Sequence, residues 1–164
     1  MRLDSAQIAG LPDKSVVQIL LEAVLAEIGD RHAEALDVVA AMPLGYGVVF
    51  SVINLDAEVR NGGFLQYFFN TRLEFEDLVV DGLERIDAGE YLEIFDAACE
   101  RIGEELERLR PMWEEGLAGF FASYKTSTMS EIDKRWFKLP HIEAKLISCI
   151  RQNLADFDAT RQES

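Results

Sequence analysis

The run Leu44-Gly45-Tyr46-Gly47-Val48-Val49-Phe50-Ser51-Val52-Ile53-Asn54-Leu55-Asp56-Ala57-Glu58-Val59 decides the fold class. Valine, isoleucine and phenylalanine favour pleated surfaces, and a short apolar run by itself does not separate a buried strand from a buried helix. The C-terminal end of the run favours the helix. Asp56, Glu58 and Arg60 close it, and Asn61-Gly62-Gly63 comes next, the composition of a helix end with a left-handed stop. We read the segment as a buried central helix, with a strand as the minor alternative.

Outward from it, helical periodicity predominates and only four prolines interrupt it. Towards the N-terminus, Arg31 to Ala41 forms a helix that Met42-Pro43 ends. An earlier helix begins at a Ser15 cap, carries Val16, Ile19, Leu20, Ala23, Val24 and Ile28 on one face, and closes at Gly29. Towards the C-terminus, Phe64 to Asn70 is a short aromatic helix and Leu73 to Asp87 another. Glu90 to Arg110 is the most regular helix and Pro111 ends it. Met112 to Tyr124 is amphipathic. Ser130 caps a helix through Phe137, and Pro140 opens a last helix from His141 to about Phe157. The expectation is an all-α, single-domain multi-helix bundle over 15–157, with an N-terminal tail at 1–14 and a frayed tail at 158–164.

Composition narrows the function classes. The 164-residue chain carries 30 acidic and 16 basic residues, a net charge of −14, which opposes nucleic acid and anionic membranes as direct partners. Charged partners should instead be basic. No apolar stretch is long enough to span a bilayer. Cys99 and Cys149 lie far apart on apolar helical faces and read as buried free thiols in a reducing compartment, so cytoplasm is the expected location. The two histidines, His32 and His141, occur in no metal-ligand spacing, and no phosphate-binding glycine loop or nucleophile elbow is present. The expectation is a protein with no catalytic centre, metal or cofactor.

The charge is clustered. Residues 74–115 hold 15 acids and 4 bases, a net −11, whereas the other 122 residues carry a net −3. Within the cluster Glu90, Glu93, Asp96, Glu100, Glu104 and Glu107 are spaced 3, 3, 4, 4 and 3. At about 100° per residue they fill a sector of about 120°, opposite Phe95, Ala98, Cys99, Ile102, Leu106, Leu109 and Trp113. Like charges at i,i+4 cost a few tenths of a kcal/mol per pair, and a face built only for solubility would mix lysine with glutamate. The six carboxylates span about 26 Å, roughly the rise of seven or eight base pairs. Glu74, Glu76, Asp77, Asp81 and Glu84 could add a second row if their helix packs alongside.

The most specific motif is Glu58-Val59-Arg60-Asn61-Gly62-Gly63-Phe64-Leu65-Gln66-Tyr67-Phe68-Phe69-Asn70. Asn61-Gly62-Gly63 permits a sharp reversal, after which Phe64, Tyr67 and Phe68 bury one face. Gln66 and Asn70 can bond neighbouring backbone or each other. The run reads as a structural corner, or alternatively as a small polar pocket built from Asn61, Gln66, Tyr67 and Asn70.

This pattern, E-x-x-N-G-G-F-x-Q-Y-F-x-N, resembles the signature of the bacterial DNA-mimic protein family, and the looser likeness extends over about 15–155. The resemblance implies an all-α fold, no enzymatic activity, no cofactor, and an acidic surface that occupies the DNA-binding face of a protein such as a helix-turn-helix repressor. The acidic stripe itself is assigned from its spacing, and not from the resemblance. The leading expectation is thus an acidic module binding a basic DNA-binding protein. The rival is a helical homodimerisation module, because Phe64, Phe68, Phe69, Phe120, Phe121, Trp136 and Phe137 exceed what one small core needs. An unrecognised enzyme is the third reading.

Overall fold

The computed structural model describes residues 2–158, which form nine α-helices and no strand among the described residues. The run at 44–59 is helical and lies within α4 (Leu44–Thr71), the axis of the molecule. Every residue from Gly45 to Val52 is buried, so its apolar stretch lacks periodicity because it is covered on all sides. Around α4 pack α2 (Asp13–Ile28), α3 (Ala35–Ala40), α5 (Glu76–Arg85), α8 (Ser130–Phe137) and α9 (Glu143–Gln152). The long α6 (Gly89–Glu114) lies against α5 and α8, and carries α7 (Leu117–Ser123) at its C-terminal end. On α5, Gly82 lets that helix sit close on α4, since a Cβ there would meet Ser51 Oγ at 2.8 Å.

Several boundaries differ from the local pattern. The first long helix starts at Asp13 behind Pro12, not at Ser15, and of the tail expected at 1–14 the described residues, 2–14, are not a bare tail. They hold α1 (Ser5–Ala9), closed by a reciprocal capping box between Asp4 and Gln7, with Ile8 fully buried. The Leu3 N–H donates to Tyr46 Oη at 2.6 Å, and the Ser5 N–H to the Asp158 carboxylate at 2.7 Å. Apart from Asp158, the tail expected at 158–164 lies outside the described residues. The helix expected from Arg31 is a 3-10 turn, His32–Glu34, leading into α3. The helix expected from Leu73 starts at Glu76, because Arg72 and Leu73 both take positive φ, 56° and 60°. Pro111 does not end α6. The chain stays helical to Glu114, and the Trp113 indole N–H donates to Ser123 Oγ of α7 at 3.2 Å, which fastens the last turn. A proline forfeits one backbone bond, which local packing here offsets. At α8 the cap position is Met129, so Ser130 is already helical. The last helix stops at Gln152, and a 3-10 turn, Leu154–Phe157, follows it.

The Asn61-Gly62-Gly63 stop is a break inside α4. Gly62 has φ −147°, and Gly63 has φ 76° with ψ 178°, a region effectively reserved for glycine. The restarted helix begins at Phe64, whose N–H donates to Asp133 Oδ1 of α8 at 2.8 Å. Asp133 thus satisfies an orphan helix-start donor from a different element. A Cβ on Gly63 would lie 2.5 Å from Asp133 Oδ2. Gly63→Ala should therefore cost about 3 kcal/mol in chemical denaturation, combining backbone strain with displacement of Asp133. A loss under about 1 kcal/mol would show that the corner relaxes freely.

Candidate acidic interface

The stripe on α6 comes first. Glu90, Glu93, Asp96, Glu100, Glu104 and Glu107 are all exposed. Of these, only Glu104 is in an ion pair among the described residues, with Arg101 at 3.5 Å. Arg108 turns to Glu105 instead, at 3.6 Å. Five carboxylates of the stripe therefore face water without an ion-pair partner among the described residues. The helix positions them because its other side is anchored by Tyr91, Ile94, Phe95, Ala98, Ile102 and Leu109.

That anchored face is turned by about 40° from the one the pattern predicts. Tyr91, Ile94 and Glu105 are buried, whereas Cys99, Leu106 and Trp113 are only half-buried. The turn does not reach the acids, which keep their phase.

Alongside α6, α5 brings the second set onto a neighbouring element. Glu74, Asp77, Asp81 and Glu84 are exposed, whereas Glu76 is half-buried with an Oε1 that has no hydrogen-bond partner among the described residues. Burial, opposed in part by a bond to its own backbone, raises its pKa above the ordinary carboxylate value. The second row is therefore weaker than the spacing implies. Nearby, burial, Glu76 and then Asp96 push the Cys99 thiol up to about 12, so it stays protonated at neutral pH.

Glu105 is the acid that the spacing argument passes over. It is only 6% exposed and sits between the stripe and the apolar face. Its carboxylate accepts from Ser127 Oγ, and from the Thr128 N–H and Oγ1, both at 2.9 Å. It thereby ties the loop before α8 to α6. Burial disfavours its charge, yet these hydrogen bonds, with Arg108, outweigh burial and hold its pKa below the ordinary value. A depressed carboxylate pKa contributes stability that is present above the unfolded-state value and lost as pH falls through the folded one. Glu105→Gln should cost about 2 kcal/mol at neutral pH. The gap from the wild type should close as the pH falls through the depressed folded-state value of Glu105, read by urea denaturation across an acidic pH series.

The motif residues form a corner. Glu58, before the break, accepts from Gln66 Nε2 at 2.7 Å and from Asn70 Nδ2 at 2.8 Å, both after it. The side-chain amides of Gln66 and Asn70 thus bond a carboxylate, and among the described residues neither each other nor a backbone group. Tyr124 Oη donates to the Gly62 carbonyl at 2.6 Å. Phe64 and Phe68 are fully buried, and Phe64 meets Trp136 edge-on at 5.4 Å. Asn61, Gln66, Tyr67 and Asn70 do not converge on a pocket. Asn61 is exposed, Gln66 and Asn70 are held by Glu58, and Tyr67 is buried against Phe68 and Phe95. Its hydroxyl has no hydrogen-bond partner among the described residues, and burial followed by Glu76 keeps its pKa well above the ordinary value.

A second polar centre escaped the motif. Asp56 is buried, and its Oδ1 accepts from Arg60 Nε and Trp136 Nε1, both at 2.9 Å. Arg60 continues to the Leu139 and Pro140 carbonyls, and Tyr91 Oη donates to the latter at 2.6 Å. The Asp56–Arg60 i,i+4 spacing is visible in the sequence, but the remote partners are not.

Among the described residues no helix is long and apolar enough to cross a membrane, and no group of three or more His, Cys, Asp or Glu side chains is placed to hold a metal ion. A family model described as DMP19-like protein matches residues 40–153, from the end of α3 through α9. Comparison with curated proteins and with solved structures gave no match.

Proposed function

This chain belongs to the DMP19-like protein family, and we propose from that premise that it is an acidic protein-binding module acting as a DNA mimic. Its partner on this reading is a basic DNA-binding protein, for example of helix-turn-helix type, whose DNA-binding face it occupies. The observation that carries the reading is the row on α6: six exposed carboxylates on one face, five of them without an ion pair among the described residues. Such a row attracts a surface built to neutralise phosphates, speeds encounter, and loses strength steeply with salt. The acids of α5 widen the field, with Glu76 contributing least.

The test is retention of partners from host lysate on the immobilised protein at low salt, with a salt gradient and competing duplex DNA. The expected result is a DNA-binding protein that elutes with salt and is displaced by duplex. Retention of basic proteins that duplex DNA leaves in place would overturn the mimicry reading.

A second reading has its own observation. On α7, Leu117 is 66% and Phe121 63% exposed, at i and i+4 on one face, and Phe137 is exposed on α8. The other aromatics of the expected surplus, Phe64, Phe68, Phe120 and Trp136, are buried, and Phe69 is half-buried. Adjacent exposed apolar side chains favour self-association. Size-exclusion chromatography with light scattering should then give a dimer that Phe121→Glu converts to monomer. A wild-type monomer at high concentration removes this reading.

A further inference from the structure

We propose that the groove beside the C-terminal half of α6 binds a small amphipathic organic anion, a carboxylate carrying an aromatic or aliphatic body. This inference is independent of the DNA-mimic reading and concerns a different surface.

The groove exists because α6 is turned relative to its sequence pattern. Leu106 and Trp113, expected in the core, lie at its edge and form one wall. Phe69, near the end of α4, adjoins Trp113, and Leu73, just beyond the helix, completes the apolar lining. The cavity measures about 810 Å³, within the range of small-ligand sites, roughly 300–1,000 Å³. Its aromatic wall is held rigid. Phe69 stacks on Phe120 at 4.4 Å and meets Trp113 edge-on at 5.7 Å, while the Trp113 indole is tied to Ser123.

Charge selects the ligand. Arg72 and Arg110 line this groove, and neither guanidinium group forms a hydrogen bond or ion pair with any described residue. Arg60, Arg85, Arg101, Arg108 and Arg151 are by contrast engaged by carboxylates, so two guanidinium groups beside one apolar cleft remain open to an anion in a chain of net charge −14. Glu114 also lines the groove, so the local balance is one positive charge, matching a monoanion rather than a polyphosphate. Arg72 is presented by a turn in which it and Leu73 both take left-handed φ, a conformation disfavoured for residues with side chains. Guanidinium groups at the rim of an apolar cleft pair with a carboxylate whose body fills the cleft.

The two tryptophans make the test specific. Trp113 lines the groove, whereas Trp136 is fully buried with its indole on Asp56. The isotope-labelled full-length protein is titrated with phenylbutyrate and, separately, with the uncharged phenylbutanol, following the two indole N–H signals, with Trp113→Phe as the assignment control. The expected result is a saturable shift of the Trp113 signal alone, about tenfold weaker binding of the alcohol, and about tenfold weaker binding of the acid by the Arg72→Gln/Arg110→Gln variant. Both arginines are exposed, and an unchanged Trp136 signal shows that the variant is folded. The proposal is overturned if the Trp113 signal does not move at about 10 mM acid. It is equally overturned if both indoles move together, or if the alcohol and the variant bind as tightly as the acid and the wild type.

Discussion

Reversing four charges of the α6 stripe, with Glu93, Asp96, Glu100 and Glu104 each changed to Lys, is expected to weaken binding of the basic partner about a thousandfold. Each reversal removes an attraction and adds a repulsion, together about 1 kcal/mol at an exposed site, and 1.4 kcal/mol is a decade of affinity. All four residues are exposed and only Glu104 is ion-paired among the described residues, so the fold does not depend on their charge. Neutralising them to glutamine separates function from solubility. Asp96–Glu100 and Glu100–Glu104 are i,i+4 like-charge pairs on one face, so the neutral variant should be slightly more stable, by a few tenths of a kcal/mol per pair, while losing most of its affinity. Binding isotherms at two salt concentrations, with thermal melts of the same proteins, read both quantities. Undiminished affinity in the lysine variant would return the stripe to an ordinary solvated face.

The largest stability effect is expected at Asp56. Asp56→Ala strips the partner from Arg60, which is held between Asp56 and the 139–140 carbonyls, and from the fully buried Trp136 indole. Removing one side of a buried, hydrogen-bonded ion pair costs about 3–5 kcal/mol. For a chain of this size that is a fall in Tm of about 10 °C. Asp56→Asn keeps an acceptor for the indole and should cost less than half as much. Because the network joins α4 to α8, to the 139–140 connector and, through Tyr91, to α6, the alanine variant should also loosen the helix that carries the stripe. Equal effects of the two substitutions would mean that the lost charge opposite Arg60, and not the acceptor for the indole, accounts for the whole cost.

The sequence by itself determined the features that depend on near neighbours. Helix identity followed from the spacing of apolar residues in most elements, and in the aperiodic valine-rich run from its charged end and the Asn61-Gly62-Gly63 break. The stripe's phase followed too, since six acids within one sector of a helix stay together however the helix is turned by a few tens of degrees. The resemblance to the family was drawn from the run from Glu58 to Asn70, and the match over residues 40–153 shows the family itself.

Tertiary structure alone decided whatever rests on distant partners. Asp133 satisfies Phe64 from 69 positions away, and Tyr124 reaches Gly62 across 62. Arg60 reaches Leu139 across 79, and no periodicity encodes such pairings. Pro111 remains within its helix because α7 holds the following turn. Leu3 and Ser5 are held against the body of the protein because Tyr46 and Asp158 supply partners for them. Glu105 turns inward, and Leu106 and Trp113 outward, because the face a helix buries is set by the shape of its packing neighbours as well as by its own pattern of apolar residues.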